Sequence, residues 1–197
     1  MKKMILFIIP ILSMIILYQI NQRLQQQALV GQEWEQKAEQ LNSLATLTQN
    51  YFMMRIETLQ IITPLSSADV KKGAEHNRAN FNYEASRNYE ALSKGAVSSE
   101  EKQLLQDMIQ KLGVMREIMD KATVQNAQKS INEMIINRIP YREAASRYAA
   151  YLGKMRKISK DEMTVAQKSM QNKIKILFVL QFVGIGAGVF YVRSVRS

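Results

Sequence analysis

The uncharged apolar run over residues 176–192 constrains this chain more than any other feature. It is bracketed by Lys173 and Lys175 before it and by Arg193 and Arg196 after it. A helix needs about 17–25 apolar residues to cross the hydrocarbon core of a bilayer. The run sits at the short end of that range, and flanking basic side chains can snorkel outward to make up the difference. It predicts a transmembrane helix over 176–192, followed by a cytoplasmic tail over 193–197. A matching run covers 4–20, after the basic start Met1-Lys2-Lys3. No small-x-small cleavage site follows it, because Asn21-Gln22-Arg23-Leu24-Gln25 is bulky and polar. The expectation is an uncleaved signal anchor, with Pro10 tolerated inside a membrane helix.

Short basic flanks stay cytoplasmic, so residues 1–3 and 193–197 are expected inside and 21–175 outside. Arg23, Lys173 and Lys175 lie on the opposite side, but a long loop translocates largely regardless of its charge. The middle segment is the size of one ordinary domain. The chain has no cysteine, so neither a disulfide nor a thiolate metal site is available. This fits a periplasmic domain of a two-pass protein in a bacterial inner membrane, held together by its own packing. The formal charge of +10 would suggest nucleic acid in a soluble protein. Between two spans it is read instead as solubility and attraction to anionic ligands or lipid surfaces.

From Asn21 to Thr63 the sequence contains no proline and only Gly31, which predicts one long helix leading out of the first span. Ala38, Leu41, Ala45, Thr48, Phe52, Arg55, Leu59 and Ile62 step alternately by three and four, the seam of packed helices. A second stripe, Leu44, Leu47, Tyr51, Met54, Thr58 and Ile61, runs beside it. The first is assigned to the chain's own bundle and the second to a partner. Pro64 ends the helix. Ser66-Ser67-Ala68-Asp69 offers a capping box for a second helix over 69–93, burying Val70, Ala74, Phe81, Ala85 and Leu92. Gly95 closes it, and Ser98-Ser99-Glu100-Glu101 opens a third helix with Leu105, Met108, Leu112, Met115, Met119 and Ala122 on one face. A turn is expected over 123–128. Ile131, Met134, Arg138, Tyr141, Ala145, Tyr148, Leu152 and Met155 form the seam of a fourth helix, with a kink or a break at Pro140. No alternating strand pattern competes. The fold expected is all-α, an antiparallel up-down-up-down four-helix bundle over 21–175 flanked by two transmembrane helices.

Several stretches carry a family resemblance: the Lys2-Lys3 anchor, the polar exit Gln19-Ile20-Asn21-Gln22, the helix start Ser98-Ser99-Glu100-Glu101-Lys102-Gln103-Leu104-Leu105, and the exit Arg193-Ser194-Val195-Arg196. With the two spans, they make the chain resemble the sensory half of bacterial methyl-accepting chemotaxis receptors. The likeness is one of architecture over nearly the whole chain. Receptors of that family continue into a HAMP linker and a methylated cytoplasmic hairpin, whereas this sequence stops at Ser197. The resemblance implies a sensor that works through a partner, or a piece of a longer receptor.

Arg55 is the sharpest candidate ligand-binding residue. It interrupts an apolar seam, where a guanidinium could clamp a carboxylate or phosphate. The bland reading is an arginine that snorkels or pairs with Glu57. Arg138 lies on the fourth helix at the same end of the expected bundle, and Arg142 one turn further on. Arg142, Arg147, Lys154, Arg156, Lys157 and Lys160 also read as a solvated basic face. His76, the only histidine, has no companion ligands and makes a poor metal site. No nucleophile, base and acid assemble into a catalytic set, so no enzyme activity, metal or cofactor is expected. Gly184 and Gly188, four apart, form the small-xxx-small pattern of closely approaching membrane helices. With the second stripe of the first helix they suggest a homodimer. Two functions remain open. One is a sensory module that binds a small anion, or a periplasmic protein carrying one, and signals to another protein. The other is a structural or adaptor subunit of a membrane or envelope complex.

Overall fold

The structure, a computed structural model, describes the backbone of residues 2–196 and the side chains of residues 8–187. Four helices account for almost all of it: α1 (Lys2–Ile62), α2 (Ala68–Gly95), α3 (Ser99–Asp120) and α4 (Ala127–Arg196). No strand occurs among the described residues, so the all-α expectation holds. The chain divides into two compact units, Glu35–Arg156 and a second made of Met1–Trp34 with Lys157–Ser197. Both α1 and α4 contribute a segment to each.

In the 35–156 unit all four helices surround one core. Cross-helix hydrogen bonds set the direction of each neighbour. Gln36 donates to the Gly95 carbonyl and Asn77 to the Glu57 carboxylate, so α2 runs back along α1. Arg78, early in α2, donates to the carbonyl of Met119 and the carboxylate of Asp120 at the end of α3. Ser98 meets Tyr151, and Arg147 meets Asp107, which turns α4 antiparallel to α3. The core holds Leu44, Leu47 and Met54 of α1, Leu92 of α2, Leu105, Met108, Leu112, Met115 and Met119 of α3, and Met134, Tyr141, Tyr148 and Leu152 of α4. Each such apolar side chain, fully buried, contributes about 1.5–3 kcal/mol. The methionines of α3 fill an irregular interior that stiffer side chains would leave gapped.

The faces of α1 differ from the sequence expectation. The stripe assigned to a partner, with Leu44, Leu47, Met54 and Thr58, is the buried one. The seam assigned to the bundle lies at its rim: Ala45 and Thr48 are exposed, and Phe52 is 53% exposed. Both stripes have the same period, so periodicity could not choose between them. Bulk decides, because Leu44, Leu47, Tyr51 and Met54 remove more apolar surface from water than Ala38, Ala45 and Thr48.

The other boundaries hold with small shifts. Ser67 is the N-cap of α2, accepting from the Val70 N–H at 3.3 Å; no acid stands at Val70 to complete a capping box, and Val70 itself is 46% exposed rather than buried. Ser98 caps α3 by accepting from the Glu101 N–H at 3.0 Å. The turn before α4 is held by Asn126, which accepts from the Thr123 N–H and donates to the Lys121 carbonyl. No break occurs at Pro140: α4 continues through it, although the ring cannot donate to the Ile136 carbonyl.

In the terminal unit the outer segments of α1 and α4 approach closely at Gly184, where an added Cβ would stand 3.1 Å from Ile9 Cγ2. Gly184 thus serves contact within the chain; the side-chain surroundings of Gly188 lie outside the described residues. Large apolar side chains remain uncovered on both segments, among them Ile11, Met14, Ile15, Phe178, Phe182 and Ile185. Among the described residues no helix is long and apolar enough to cross a membrane. The runs expected to do so, 4–20 and 176–192, both extend beyond the described side chains.

Candidate anion-binding site

Arg55, Arg138 and Arg142 come together in the structure. They line one cavity of about 410 Å3 in the 35–156 unit, between α1 and α4 with α3 behind. Helical spacing puts them there. Thr48, Phe52 and Arg55 follow one another on a face of α1, and Arg138, Tyr141, Arg142 and Ala145 on a face of α4. Ala45 and Ala145 occupy seam positions where a larger side chain would have filled the space. The back wall is apolar, made by Leu112 and Met115. Arg55 is half-buried, whereas Arg138 and Arg142 stand exposed at the rim, so Arg138 is not the seam residue its spacing suggested.

Two tyrosines cross the cavity. The Tyr51 and Tyr141 rings lie 6.2 Å apart at 45°, and the Tyr141 hydroxyl shares a hydrogen bond of 3.2 Å with Thr48. Burial raises both phenols above the ordinary tyrosine value of 10.0; the Arg116 guanidinium opposes this at Tyr51, as does the Thr48 hydrogen bond at Tyr141. Both rings are therefore neutral hydroxyl carriers at physiological pH. No carboxylate lines the cavity, and none of its three arginines has a hydrogen bond or ion pair among the described residues. Three guanidiniums over an apolar wall, without a counter-ion, make a receptor for a small anion with an apolar body.

A larger groove of about 780 Å3 flanks α4, but Ile135, Arg138, Ile139, Arg142, Glu143, Ser146 and Arg147 all come from that one helix. With no opposing wall it cannot enclose a ligand. Arg147 is engaged there by Asp107 at 2.6 Å. His76 is exposed against Asn80, and no group of three potential metal ligands occurs among the described residues.

Sequence reasoning missed a buried ion pair elsewhere in the same core. Lys37 Nζ lies 2.8 and 2.7 Å from the two carboxylate oxygens of Glu101 and 3.0 Å from Gln40 Oε1. The two charged side chains are 2% and 1% exposed. Glu101 also accepts from the Val97 N–H at 3.2 Å. The signal was available: stepping back from Leu44 along its stripe gives Gln40 and Lys37, and stepping back from Leu105 gives Glu101. Opposite charges thus stand at matching ends of two core stripes. No family model, curated protein or solved structure matches the chain.

Proposed function

We propose that the chain is a membrane-anchored sensory module whose helical bundle binds a small organic anion and passes the signal to another protein. The observation that carries this reading is the cavity lined by Arg55, Arg138 and Arg142, which has the volume of a small-ligand site and no internal counter-ion. Support for the anchor comes from the terminal unit, where Met14 is 72% and Phe182 74% exposed among other bare apolar side chains. A hydrocarbon surround removes that surface from water. The spans are 4–20 and 176–192, both ends are cytoplasmic, and the bundle is external, in a bacterial inner membrane. This is the architecture that resembles chemoreceptor sensory domains. α1 and α4 both line the cavity and both belong to the terminal unit, so a ligand that shifts one against the other has a route to a signalling partner. A homodimer belongs to the same reading. It must use exposed α1 positions such as Phe52, because Leu44, Leu47 and Met54 are taken up by the core.

The test is thermal unfolding of the full chain in mild detergent with succinate, benzoate and inorganic phosphate as probes. At least one carboxylate should raise the melting temperature. Arg55→Met should weaken that response by a factor of about 30 to several thousand, the equivalent of about 2–5 kcal/mol for an unpaired buried contact. The unliganded melting temperature should barely move, since the methionine keeps the packing of the stem. A full ligand shift in the variant refutes the clamp.

A second reading, an adaptor subunit docking on an envelope complex, is favoured by the exposed Ile135, Ile136 and Ile139 on α4. Ile135→Glu and Ile139→Glu would abolish co-purification of a partner under that reading and leave anion binding intact under the first.

A further inference from the structure

A second basic site lies in the terminal unit, away from the three-arginine cavity. Gln19, Gln22, Arg23 and Gln26 of α1 and Lys173 of α4 line a cleft of about 340 Å3. Every lining side chain carries N–H donors, and no carboxylate is among them. Arg23 Nη1 donates to Gln26 Oε1 at 3.2 Å, which occupies that amide's acceptor and leaves its NH2 group for a ligand. Gln22 Nε2 donates to the Tyr18 hydroxyl at 2.8 Å. Lys173 is half-buried and has no hydrogen bond or ion pair among the described residues. Such a donor set suits a phosphate, whose oxygens accept from guanidinium, ammonium and amide together.

The position in the sequence narrows the source of that phosphate. On α1 the exposed apolar side chains Met14, Leu17 and Tyr18 directly precede the cleft residues, and on α4 Lys173 is followed by exposed Ile176, Phe178 and Val179. The cleft thus stands where both segments pass from polar to apolar, with an aromatic hydroxyl at the border, as at a membrane–water interface. The geometry points to a binding site for the phosphate of an anionic phospholipid, with its acyl chains along the apolar side chains beyond. The site rests on the membrane reading given above, and it adds a specific lipid contact to what would otherwise be passive insertion.

The full chain in a neutral detergent is titrated with short-chain phosphatidylglycerol, short-chain phosphatidylcholine and inorganic phosphate, following the melting temperature. Phosphatidylglycerol should stabilise the protein saturably. Arg23→Gln and Lys173→Gln should each weaken half-saturation about fivefold, the weight of one basic side chain near an anionic surface. Lys160→Gln and Lys168→Gln, which lie outside the cleft, should leave it unchanged. Equal losses in all four variants would mean diffuse attraction and overturn the site. An equal response to phosphatidylcholine would overturn its anionic selectivity, and an equal response to inorganic phosphate would assign the cleft to a soluble anion instead. Carbonate extraction of cell membranes reads the anchoring separately. A chain released to the supernatant overturns the membrane reading and this site with it; a retained chain with no phosphatidylglycerol response overturns the site alone.

Discussion

Lys37 and Glu101 bury opposite charges inside an otherwise apolar interior, so replacing one of them should be far more costly than replacing both. In Lys37→Met the Glu101 carboxylate stays buried with only the Val97 N–H to satisfy it, and Gln40 loses the donor on its Oε1. Breaking a buried pair from one side costs about 3–5 kcal/mol. For a bundle of this size, roughly 3–6 °C of melting temperature goes with each kcal/mol, so the single variant should melt about 10–25 °C lower. Lys37→Met with Glu101→Leu removes both charges and fills their volume with hydrocarbon. Such replacements are often neutral or stabilising. The Val97 N–H beside the α2–α3 turn can be taken up by water, which leaves the Gln40 amide as the residual cost, about 1–3 kcal/mol. The double variant should therefore recover most of the loss. Circular dichroism melts of the full chain in mild detergent for the four proteins of the cycle give the coupling directly. If Lys37→Met costs less than about 1 kcal/mol, as an exposed pair would, or if the double variant is as unstable as the single, the reasoning fails.

Two glycine substitutions should act in opposite directions: Gly95→Ala puts a Cβ 2.6 Å from Gln40 Nε2 and should destabilise by about 1–3 kcal/mol, because Gln40 can move only by leaving Lys37. Gly113→Ala meets nothing within 4 Å in an exposed helical interior and should stabilise by about 0.5–1 kcal/mol; denaturant melts read both signs. The Tyr148 hydroxyl is buried without a partner, so Tyr148→Phe should stabilise by about 1–3 kcal/mol at neutral pH. Burial, the nearby Glu101 charge and Tyr151 raise the Tyr148 phenol above its ordinary 10.0, and burial raises Tyr51 and Tyr141 in the same direction. The unfolded chain then loses those protons first, so stability should be flat below pH of about 10 and fall above it, by up to about 1.4 kcal/mol per pH unit for each tyrosine. Tyr148→Phe should flatten that alkaline fall in a pH series of melts, and an unchanged slope would count against the assignment.

The four helices and their ends were legible in the sequence because local chemistry sets them. Pro64 stops α1, Ser67 and Ser98 accept from backbone N–H groups at helix starts, and heptad steps mark the core of α3 and α4. Arg55, Arg138 and Arg142 were legible as cations in or beside apolar stripes, since a charge in such a stripe breaks a pattern visible along one dimension. The face of α1 that is buried was not legible, because two stripes of equal period fit equally well until three other helices compete for the bulkier one. The same holds for Lys37 with Glu101, and for the vacancy left by Ala45 and Ala145 that turns three separate arginines into one cavity. Periodicity is a property of a single helix. Which charges meet, and which volume stays empty, depends on how several helices share one interior, and only the tertiary structure decides that.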